Sequence, residues 1–463
     1  MAVLVAMPAL AFGQATGGGA RPTVKPAQTF VPALPSASIP VLMNPTPAVA
    51  ALREPPAESI PPGAVAPAAN MPTLSLADLE GMALANNPVL ARAAARVEAA
   101  RGQWVQVGLP PNPTAGYSAA EIGDSGRAGQ QGGSVGQEVV TGGKLRLNRA
   151  VATQEIRVAQ QEMYAERYRV LNDVRIGYYA VLIAQRRIEI TAELQAIGQR
   201  SVGVVEQFVK GQEASRVDLL QARVESNTAK ILHENARNDY LGAWRRLAAV
   251  LGMPQIAPVP LVGDLQAGLT DLPFEGAMQQ LLVQSPELAA ARANVNRAAQ
   301  AVARARAEPY PNVDLQGSVQ HDNSTSNDIA GVQIGIPLPI LNRNQGGIRR
   351  AQAEWAAAQS EVQRLELELH QRLATVYQRY ANARQQVETY TREILPDAQS
   401  SLELVTNGYR QGEIGYLLLL TSQRTFFQTN LAYLESLGQL RESTVEIDGL
   451  LLTGSLDGGT RWR

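Results

Sequence analysis

Residues Lys144 to Lys210 read KLRLNRAVATQEIRVAQQEMYAERYRVLNDVRIGYYAVLIAQRRIEITAELQAIGQRSVGVVEQFVK. The run contains no proline, and none occurs between Thr114 and Met253. A single α-helix of this length is roughly 100 Å long at ~1.5 Å per residue, with Gly177, Gly198 and Gly203 as its weak points. Because ordinary globular helices run about 8–20 residues, such a helix must bury its apolar stripe against equally long helices.

A second long helical run extends from Arg343 to Arg410 and shows how the stripe is buried. Its apolar residues recur three and four positions apart, which is the heptad pattern of a coiled coil. One extra four-residue step is a stutter that locally unwinds the supercoil, and Pro396 should kink the helix. The seam is formed by Ile348, Ala351, Trp355, Ala358, Val362, Leu365, Leu369, Leu373, Val376, Tyr380, Ala383, Val387, Tyr390 and Ile394.

The chain nearly repeats itself with a period of about 200 residues, which indicates two copies of one unit. Each copy opens an Ala- and Arg-rich helix at a proline and ends it at a proline cluster. Two strand-like segments, a glycine pair, the long run, a glycine turn and another long helix follow. The matching landmarks are Asn87-Pro88 and Ser285-Pro286, Pro110–Pro113 and Pro309–Asn312, Gly142-Gly143 and Gly346-Gly347, and Lys210-Gly211 and Gln411-Gly412.

Each copy contains one predicted β-hairpin. In the second copy Val313 to Val319 and Val332 to Ile336 alternate between apolar and polar residues, on either side of a polar loop from His321 to Asp328. In the first copy the predicted strands are Asn112 to Glu121 and Ser134 to Val140, with a glycine-rich loop between them. A lone hairpin is barely stable in water and leaves open edges, so we expect the hairpins to close with copies from other subunits.

The domain boundaries are predicted from these landmarks. Val3 to Phe12 is apolar and is followed by small residues, which resembles a truncated signal peptide. Residues 21–72 hold 13 of the 28 prolines and few charges, so they are predicted to form an extended or disordered tether. The predicted units are a signal segment 1–20, the tether 21–72, a first repeat 73–270 with hairpin 112–140, a second repeat 271–453 with hairpin 311–340, and a tail 454–463.

Composition argues against several classes of function. The net charge is −1, without the excess of Lys and Arg that a nucleic-acid binder needs. There is no cysteine, so disulfides and thiolate sites are excluded, and no apolar stretch of roughly 18 residues predicts a transmembrane helix. No two of His233, His321 and His370 lie at ligand spacing, so neither a dedicated metal site nor a cofactor is expected. Gly123–Gly126 copies a protease tetrad, but every histidine follows it, so we predict a hairpin loop and no enzyme.

The order of these elements from Thr73 to about Thr453 resembles the outer-membrane efflux protein (TolC) family. The segment Ile336–Gly346, IPLPILNRNQG, is similar to one that is typical of its CzcC-like heavy-metal branch. The segment Gly136–Lys144, GQEVVTGGK, resembles the first-copy equivalent of that branch. The resemblance implies a mainly α fold with β strands: a trimeric α-helical barrel below a 12-stranded outer-membrane β-barrel, to which each chain gives four strands.

The resemblance also implies the function. A homotrimer in outer-membrane lipid, spanning into the periplasm, would be the passive exit duct of a tripartite exporter. A periplasmic adaptor would join it to an inner-membrane RND pump, and heavy-metal cations are the cargo of the most similar branch. The alternatives that stay open are a duct for drugs or for type I protein secretion, the periplasmic adaptor itself, and a filament-forming coiled coil, with an enzyme more distant still.

Family members reverse helix direction at the inner tip of the tunnel, and Gly211 and Gly412 match these turns, where glycine suits a left-handed conformation. Acidic side chains often narrow the tip just after each turn. Asp218 matches that pattern, with a solvated helix cap as its alternative interpretation, and the run Leu417–Leu420 is expected to pack at the tip rather than to dock a partner. Further candidates for the constriction are Glu213, Glu413, Leu418 and Thr421, the last two where carboxylates often lie. Candidates for the transition from barrel strand to helix are Gly142, Gly143, Asn342, Arg343, Asn344 and Gly346.

Overall fold

The computed structural model describes residues 73–123, 128–212, 214–269 and 271–457. The predicted signal segment, the tether, the loop residues Asp124–Gly126 and the candidate Glu213 lie outside the described residues. In chain order the elements are α1 Leu76–Asn86, α2 Pro88–Gln106, β1 Thr114–Gly123, β2 Ala128–Val139, α3 Lys144–Lys210, α4 Arg216–Val250, α5 Phe274–Gln284, α6 Pro286–Ala307, β3 Val313–Asp322, β4 Asn327–Gly335, α7 Gln345–Thr389, a π-helical turn Tyr390–Ile394, α8 Leu395–Arg410 and α9 Tyr416–Asp448.

The long helix α3 is continuous over 67 residues, as predicted. It packs against α1, α2 and α4 of its own repeat and against α6 and α9 of the second. Two of its glycines allow this close approach. A Cβ on Gly177 would lie 3.0 Å from a methyl of Leu247, and one on Gly198 would lie 3.1 Å from Cα of Ser226. These glycines are therefore close-packing positions against α4 rather than weak points of the helix.

The predicted heptad seam is buried along the middle of α7. Leu365, Leu369 and Leu373 are fully covered, and α6 and α9 are the helices that pack on α7. Trp355 is 38% exposed, and Ile394 near the other end of the seam is equally open. The prediction that these two side chains belong to the buried seam is wrong within this chain, because its helices cover only part of so long a stripe.

The predicted kink at Pro396 takes the form of a π-helical turn. α7 ends at Thr389, and the backbone N–H of Leu395 donates to the carbonyl of Tyr390, five residues earlier. Pro396 has no N–H to donate, so the regular ladder cannot continue through this point. Helix α8 resumes at Leu395 with the proline in its first turn, where a missing N–H costs little. Along its whole described length, α3 has no comparable interruption.

Two apolar cores repeat the same arrangement of helices. The first joins α1, α3 and α4 around Trp244, and the second joins α5, α6, α7 and α9 around Leu369. The largest buried side chains are Leu79, Val170, Val174, Val181, Trp244, Leu247 and Leu251 in the first core, and Leu281, Leu288, Leu369, Leu373 and Leu452 in the second.

Within the described part of the chain, no helix has both the length and the apolar character required to cross a lipid bilayer.

A buried ionic network joins the two repeats. Glu287, at the start of α6, is only 4% exposed. Its carboxylate accepts from Arg169 on α3 at 2.6 Å and from Arg372 on α7 at 3.0 Å. Arg169 also pairs with Glu166 at 3.2 Å. A buried carboxylate between two guanidinium groups is compensated only while both partners stay in place, so the network fixes three helices relative to one another.

The residues after α9 return to α3. The side-chain amide of Asn172 donates to the carbonyls of Gly449 at 2.8 Å and Leu452 at 2.6 Å. The carboxylate of Asp173 accepts from the backbone N–H groups of Gly454 at 2.9 Å and Ser455 at 2.6 Å. The first residues of the predicted tail are therefore held on the helical body.

The four strands form one antiparallel sheet in the order β1-β2-β3-β4. Each repeat contributes a hairpin, and pairing of β2 with β3 joins the hairpins from Gln130↔Asp322 to Val139↔Val313. In the part of the chain that the structure describes, β1 and β4 are the edge strands, each paired on one side only. The sheet of a single protomer is therefore open at both edges.

The predicted hairpin loops are longer than the observed ones. The glycine-rich segment after residue 128 lies in β2 and not in a loop, since it pairs with β1 on one side and β3 on the other. A Cβ on Gly132 would clash with the Val319 carbonyl, so glycine is required at this position. In the second hairpin, β3 continues through Asp322 and β4 begins at Asn327, so four residues connect them. The cross-strand contact of His321 with Asp328 at 2.8 Å extends the ladder into the predicted loop.

We predict that Glu287→Gln lowers the free energy of unfolding by about 3 kcal/mol, because the buried Arg169 and the half-buried Arg372 lose the carboxylate that they share. Each arginine keeps one further partner, Glu166 or Glu368, so the loss is not larger.

Glu361→Gln is the matched control, since Glu361 bonds Arg364 at 2.7 Å on the exposed surface and should contribute less than ~1 kcal/mol. Denaturant unfolding followed by circular dichroism measures both. Equal losses for the two variants would contradict a joining role for Glu287.

Candidate functional site

Two turns reverse the direction of the long helices, and together we call them the turn end: residues 211–215 between α3 and α4, and 411–415 between α8 and α9. Gly412 has the predicted left-handed conformation, with φ 79°. Gly211 does not, since its φ is −78°, and Gln212 adopts the left-handed conformation instead, with φ 64°. In both turns the left-handed residue is the one directly after the C-cap residue. After α8 the C-cap is Gln411 and the next residue is Gly412, whereas after α3 the C-cap is Gly211 itself and the next residue is Gln212.

Asp218 is the third residue of α4 and forms a capping box with Ser215, the N-cap residue. Its carboxylate accepts from the Ser215 backbone N–H at 3.0 Å and from the Ser215 hydroxyl at 2.7 Å. The backbone N–H of Asp218 donates in return to the Ser215 hydroxyl at 3.1 Å, which completes a capping box. The structure thus gives Asp218 the capping role that was its alternative interpretation, and its role as a constriction stays a prediction.

The other candidates at the turn end differ in exposure. Glu413 is exposed, and its backbone N–H donates to the carbonyl of Gly408 at 3.0 Å. Leu418 and Thr421 are also exposed, and the Thr421 hydroxyl donates to the carbonyl of Leu417 at 2.9 Å. Within the leucine run, Leu417 and Leu418 face solvent whereas Leu419 and Leu420 are buried. The packing predicted for the run therefore holds for only half of it.

An apolar cluster stabilises the turn end, and its aromatic members were missed by the sequence reasoning. Tyr416, the first residue of α9, is buried with Val205, Ala222 and Leu420. Its ring lies 6.1 Å from that of Tyr409. Burial raises the pKa of Tyr416 from its ordinary value near 10 to about 12, and Tyr409 and the nearby carboxylates add to this. An aromatic residue at the start of a helix, just after a glycine turn, is the signal that could have identified it.

An exposed groove of about 380 Å³ runs beside this cluster, between the first turns of α4 and α9. The ion pair of Arg424 with Glu225, at 2.8 Å, lies at one side of the groove and joins the two helices. Its apolar lining is Val217, Leu220, Val224, Leu417 and Leu420.

The first strand-to-helix junction lies between the repeats. Gly142 and Gly143 both have φ 65°, and a Cβ on Gly142 would lie 2.8 Å from Cβ of Tyr310. The buried ammonium of Lys144, the first residue of α3, donates to the side-chain oxygen of Asn312 at 2.9 Å. The amide of Asn312 donates to Glu138 on β2 at 2.6 Å. Glycine is thus required where the start of α3 meets the second repeat.

The second strand-to-helix junction is shaped by its asparagines. Asn344 caps α7 with φ 56°, and its side-chain amide donates to the carbonyl of Ala305 on α6 at 2.9 Å. Its backbone N–H donates to the Asn342 side-chain oxygen at 3.0 Å. The guanidinium of Arg343 donates to the Pro339 carbonyl at 3.3 Å. Gly346 lies in the first turn of α7, with no described atom within 4 Å of a built Cβ.

The two faces of the sheet differ in polarity. Since side chains alternate along a strand, the observed register assigns each residue to a face. The sequences of the four strands contain no Lys or Arg. The mainly apolar face carries Ala115, Tyr117, Val135, Val139, Val313, Leu315, Val319, Ala330, Val332 and Ile334. The mainly polar face carries Thr114, Ser118, Gln130, Ser134, Glu138, Asp314, Gln316, Ser318, Gln320, Asp322 and Gln333.

The polar face bears negative charge. Glu138 and Asp314 are directly paired across β2 and β3, and Asp322 lies further along β3 on the same face. On the apolar face His321 contacts Asp328. Among the described residues, no group of three or more His, Asp or Glu side chains lies close enough to hold a metal ion. The charge is thus spread along the face rather than gathered at one site.

The sequence model of the family described as "Outer membrane efflux protein" matches residues 79–253 and again residues 277–451. The cobalt-zinc-cadmium resistance protein CzcC of Cupriavidus metallidurans is 29% identical over 382 residues, which cover 82% of this chain and 90% of that protein. The toluene efflux pump outer membrane protein TtgF of Pseudomonas putida is 24% identical over 393 residues, covering 78% and 80%. The solved outer-membrane channel OprN matches with a TM-score of 0.69 at 20% identity, over 82% of this chain and 90% of that one.

The buried Tyr416 predicts a pH dependence of the turn end. A raised pKa means that the folded state favours the neutral phenol, so this stabilisation is complete below about pH 10 and is lost as the pH rises towards 12. Difference absorbance titration of the wild type against Tyr416→Phe should show a phenolate forming near pH 12. Tyr164→Phe, which removes an exposed ring on α3, is the control. A Tyr416 midpoint near 10 would contradict burial of this hydroxyl.

Proposed function

The chain belongs to the outer membrane efflux protein family, and we propose that three copies of it form the passive exit duct of a tripartite exporter. As a family member it is an outer-membrane efflux channel that extends into the periplasm. In this arrangement the trimer binds a periplasmic adaptor and an inner-membrane RND pump, and the chain carries out no catalytic step.

The observation that carries the trimer is the open sheet with one apolar and one polar face. An unpaired strand edge is costly in water and far more so in lipid, where a sheet must close on itself. If β4 of one copy pairs with β1 of the next, three copies of four strands close a barrel of twelve. The apolar face, from Val313 to Val319, spans six residue steps, or ~20 Å at ~3.3 Å per residue, and would face lipid.

The helices extend the duct away from the membrane in this arrangement. With the strands in the outer membrane, the turn end lies at the far end of α3, which is where an adaptor and a pump would reach it. The groove between α4 and α9 and the exposed Leu417 and Leu418 offer apolar surface there. Contacts with these partners would bias a closed turn end towards an open one.

We propose divalent heavy-metal cations as the cargo. The CzcC relative is named for resistance to cobalt, zinc and cadmium. It is 29% identical to this chain over 90% of its own length, whereas TtgF is 24% identical over 80% of its length. Carboxylates line the polar face of the sheet, and the strands carry no Lys or Arg. A closed barrel would place that face around the water-filled path, where fixed negative charge favours cations.

Deletion of the gene tests the cargo. We expect the mutant to lose tolerance to zinc, cobalt and cadmium while its sensitivity to a drug panel stays unchanged. Re-expression of the wild-type chain should restore tolerance, and a chain truncated after residue 335 is the negative control. Unchanged metal tolerance with raised drug or solvent sensitivity would instead support a drug duct such as the toluene relative.

A pair of variants separates the two roles of Asp218. Asp218→Asn removes the charge but keeps an oxygen that can cap α4, whereas Ser215→Ala weakens the cap and leaves the charge. If three Asp218 carboxylates form the constriction, Asp218→Asn should reduce block by divalent cations or raise single-channel conductance in planar bilayers, and Ser215→Ala should not. The reverse pattern, or no change in either variant, would limit Asp218 to capping.

A further inference from the structure

The connection between β4 and α7, residues 336–344, displays large apolar side chains to solvent. Leu338 is 74% exposed, Ile340 67% and Leu341 89%. The connection is nevertheless held by local hydrogen bonds. The Ile340 N–H donates to the Leu338 carbonyl at 2.9 Å, and the Gln345 side chain donates to the Leu341 carbonyl at 3.1 Å. Apolar side chains fixed in an exposed position require a partner.

The equivalent connection in the first repeat is covered by residues of the second repeat. In the first repeat the connection between β2 and α3, residues 140–143, packs against the corner between α6 and β3, residues 308–312. The Thr141 backbone N–H donates to Asn312 at 3.3 Å, and its hydroxyl donates to the carbonyl of Pro311. This contact accompanies the pairing of β2 with β3 and the packing of α3 on α6.

The repeat identifies the surface that should cover the second connection. As β2 pairs with β3 inside one chain, so β4 would pair with β1 of the next copy. The corner between α2 and β1, residues 107–113, corresponds to the corner between α6 and β3. Leu109 in this corner is 49% exposed, and Val105 in the last turn of α2 is 51% exposed.

The corner between α2 and β1 is firmly held from behind. The guanidinium of Arg149 lies 5.0 Å from the centre of the Trp104 ring, and the indole N–H of Trp104 donates to Thr153 at 3.0 Å. A Cβ on Gly108 would clash with Arg149, so the turn lies directly on α3. Val105 and Leu109 are thus presented from a rigid surface.

We propose that Leu338, Ile340 and Leu341 of one copy pack against Val105 and Leu109 of the next, forming an apolar junction that fixes the register of the closing strand pair. This inference rests on the trimer proposed above. The second connection has nine residues, 336–344, where the first has four, 140–143, and the extra length supplies the apolar side chains. Apolar packing between copies here replaces the polar contacts made by Thr141 and Asn312 within a chain.

Cysteine cross-linking tests the junction directly, because the chain contains no cysteine. Leu109→Cys is combined in turn with Leu338→Cys, Ile340→Cys and Leu341→Cys, and the purified full chain in detergent is treated with a short bis-maleimide. We expect covalent dimers and trimers from at least one of these pairs and from none of the single variants. Leu109→Cys with Leu367→Cys is the matched control, since Leu367 is equally exposed but lies more than ~30 Å further along α7.

Oligomeric state, measured by light scattering, separates this inference from the trimer itself. A trimer in which every Leu109 pair stays uncross-linked overturns the junction and leaves the duct intact. A monomer overturns both. Lipid is the rival partner: a bimane label on Leu341→Cys that is quenched by brominated lipid would place this side chain in the bilayer and contradict the junction. Protection of that label from brominated lipid, together with cross-linking, would support it.

Discussion

The structure depends on covering α3. A 67-residue helix exposes an apolar stripe that no single partner of ordinary length can bury. Helices of both repeats therefore meet on it: α4 lies against its glycines, α6 crosses from the second repeat, and the residues after α9 return to Asn172 and Asp173. Glu287 then fixes α6 between α3 and α7 through two guanidinium groups. Because α3 and α6 are adjacent, the strands at their ends are adjacent too, and β2 pairs with β3.

The contacts that join the two repeats inside the chain are also the contacts that the proposed trimer would make between copies. Inside the chain, one strand pair, one helix pair and one strand-to-helix junction join the first repeat to the second. The same three surfaces are open at β1 and α2 on one side and at β4 and α7 on the other. Closure between copies in the proposed trimer would also give the apolar face lipid and the polar face water.

The long helices could be predicted from the sequence because their signals are strong and local. The absence of proline set the bounds of α3, and apolar spacing located Leu365, Leu369 and Leu373 in the core. The strand bounds were harder. The residues around Gly132 carry no alternation of polarity, so the sequence cannot distinguish a strand from a loop there. Only their pairing with β1 and β3 shows that they form a strand. Trp355 fits the heptad pattern but is 38% exposed, since the pattern does not say whether a helix of the same chain packs on each seam residue.

The candidate site was less predictable than the fold. The choice between Gly211 and Gln212 for the left-handed position depends on where α3 ends to within one residue, and propensities do not resolve this. The pattern of Ser215 and Asp218 equally fits a capping box and an acidic ring, and the two interpretations differ in geometry rather than in residue type. The sequence places Tyr416 just after a glycine turn, but its burial beside Val205 and Ala222 is set by tertiary packing.

The π-helical turn ahead of Pro396 makes the two repeats mechanically unequal. A helix resists bending through its continuous ladder of hydrogen bonds, and that ladder changes step between Tyr390 and Leu395. A load that reaches α8 and α9 would therefore concentrate its deformation in this turn, whereas the same load on α3 would be carried along the whole rod. We therefore expect the second repeat to bend more readily than the first.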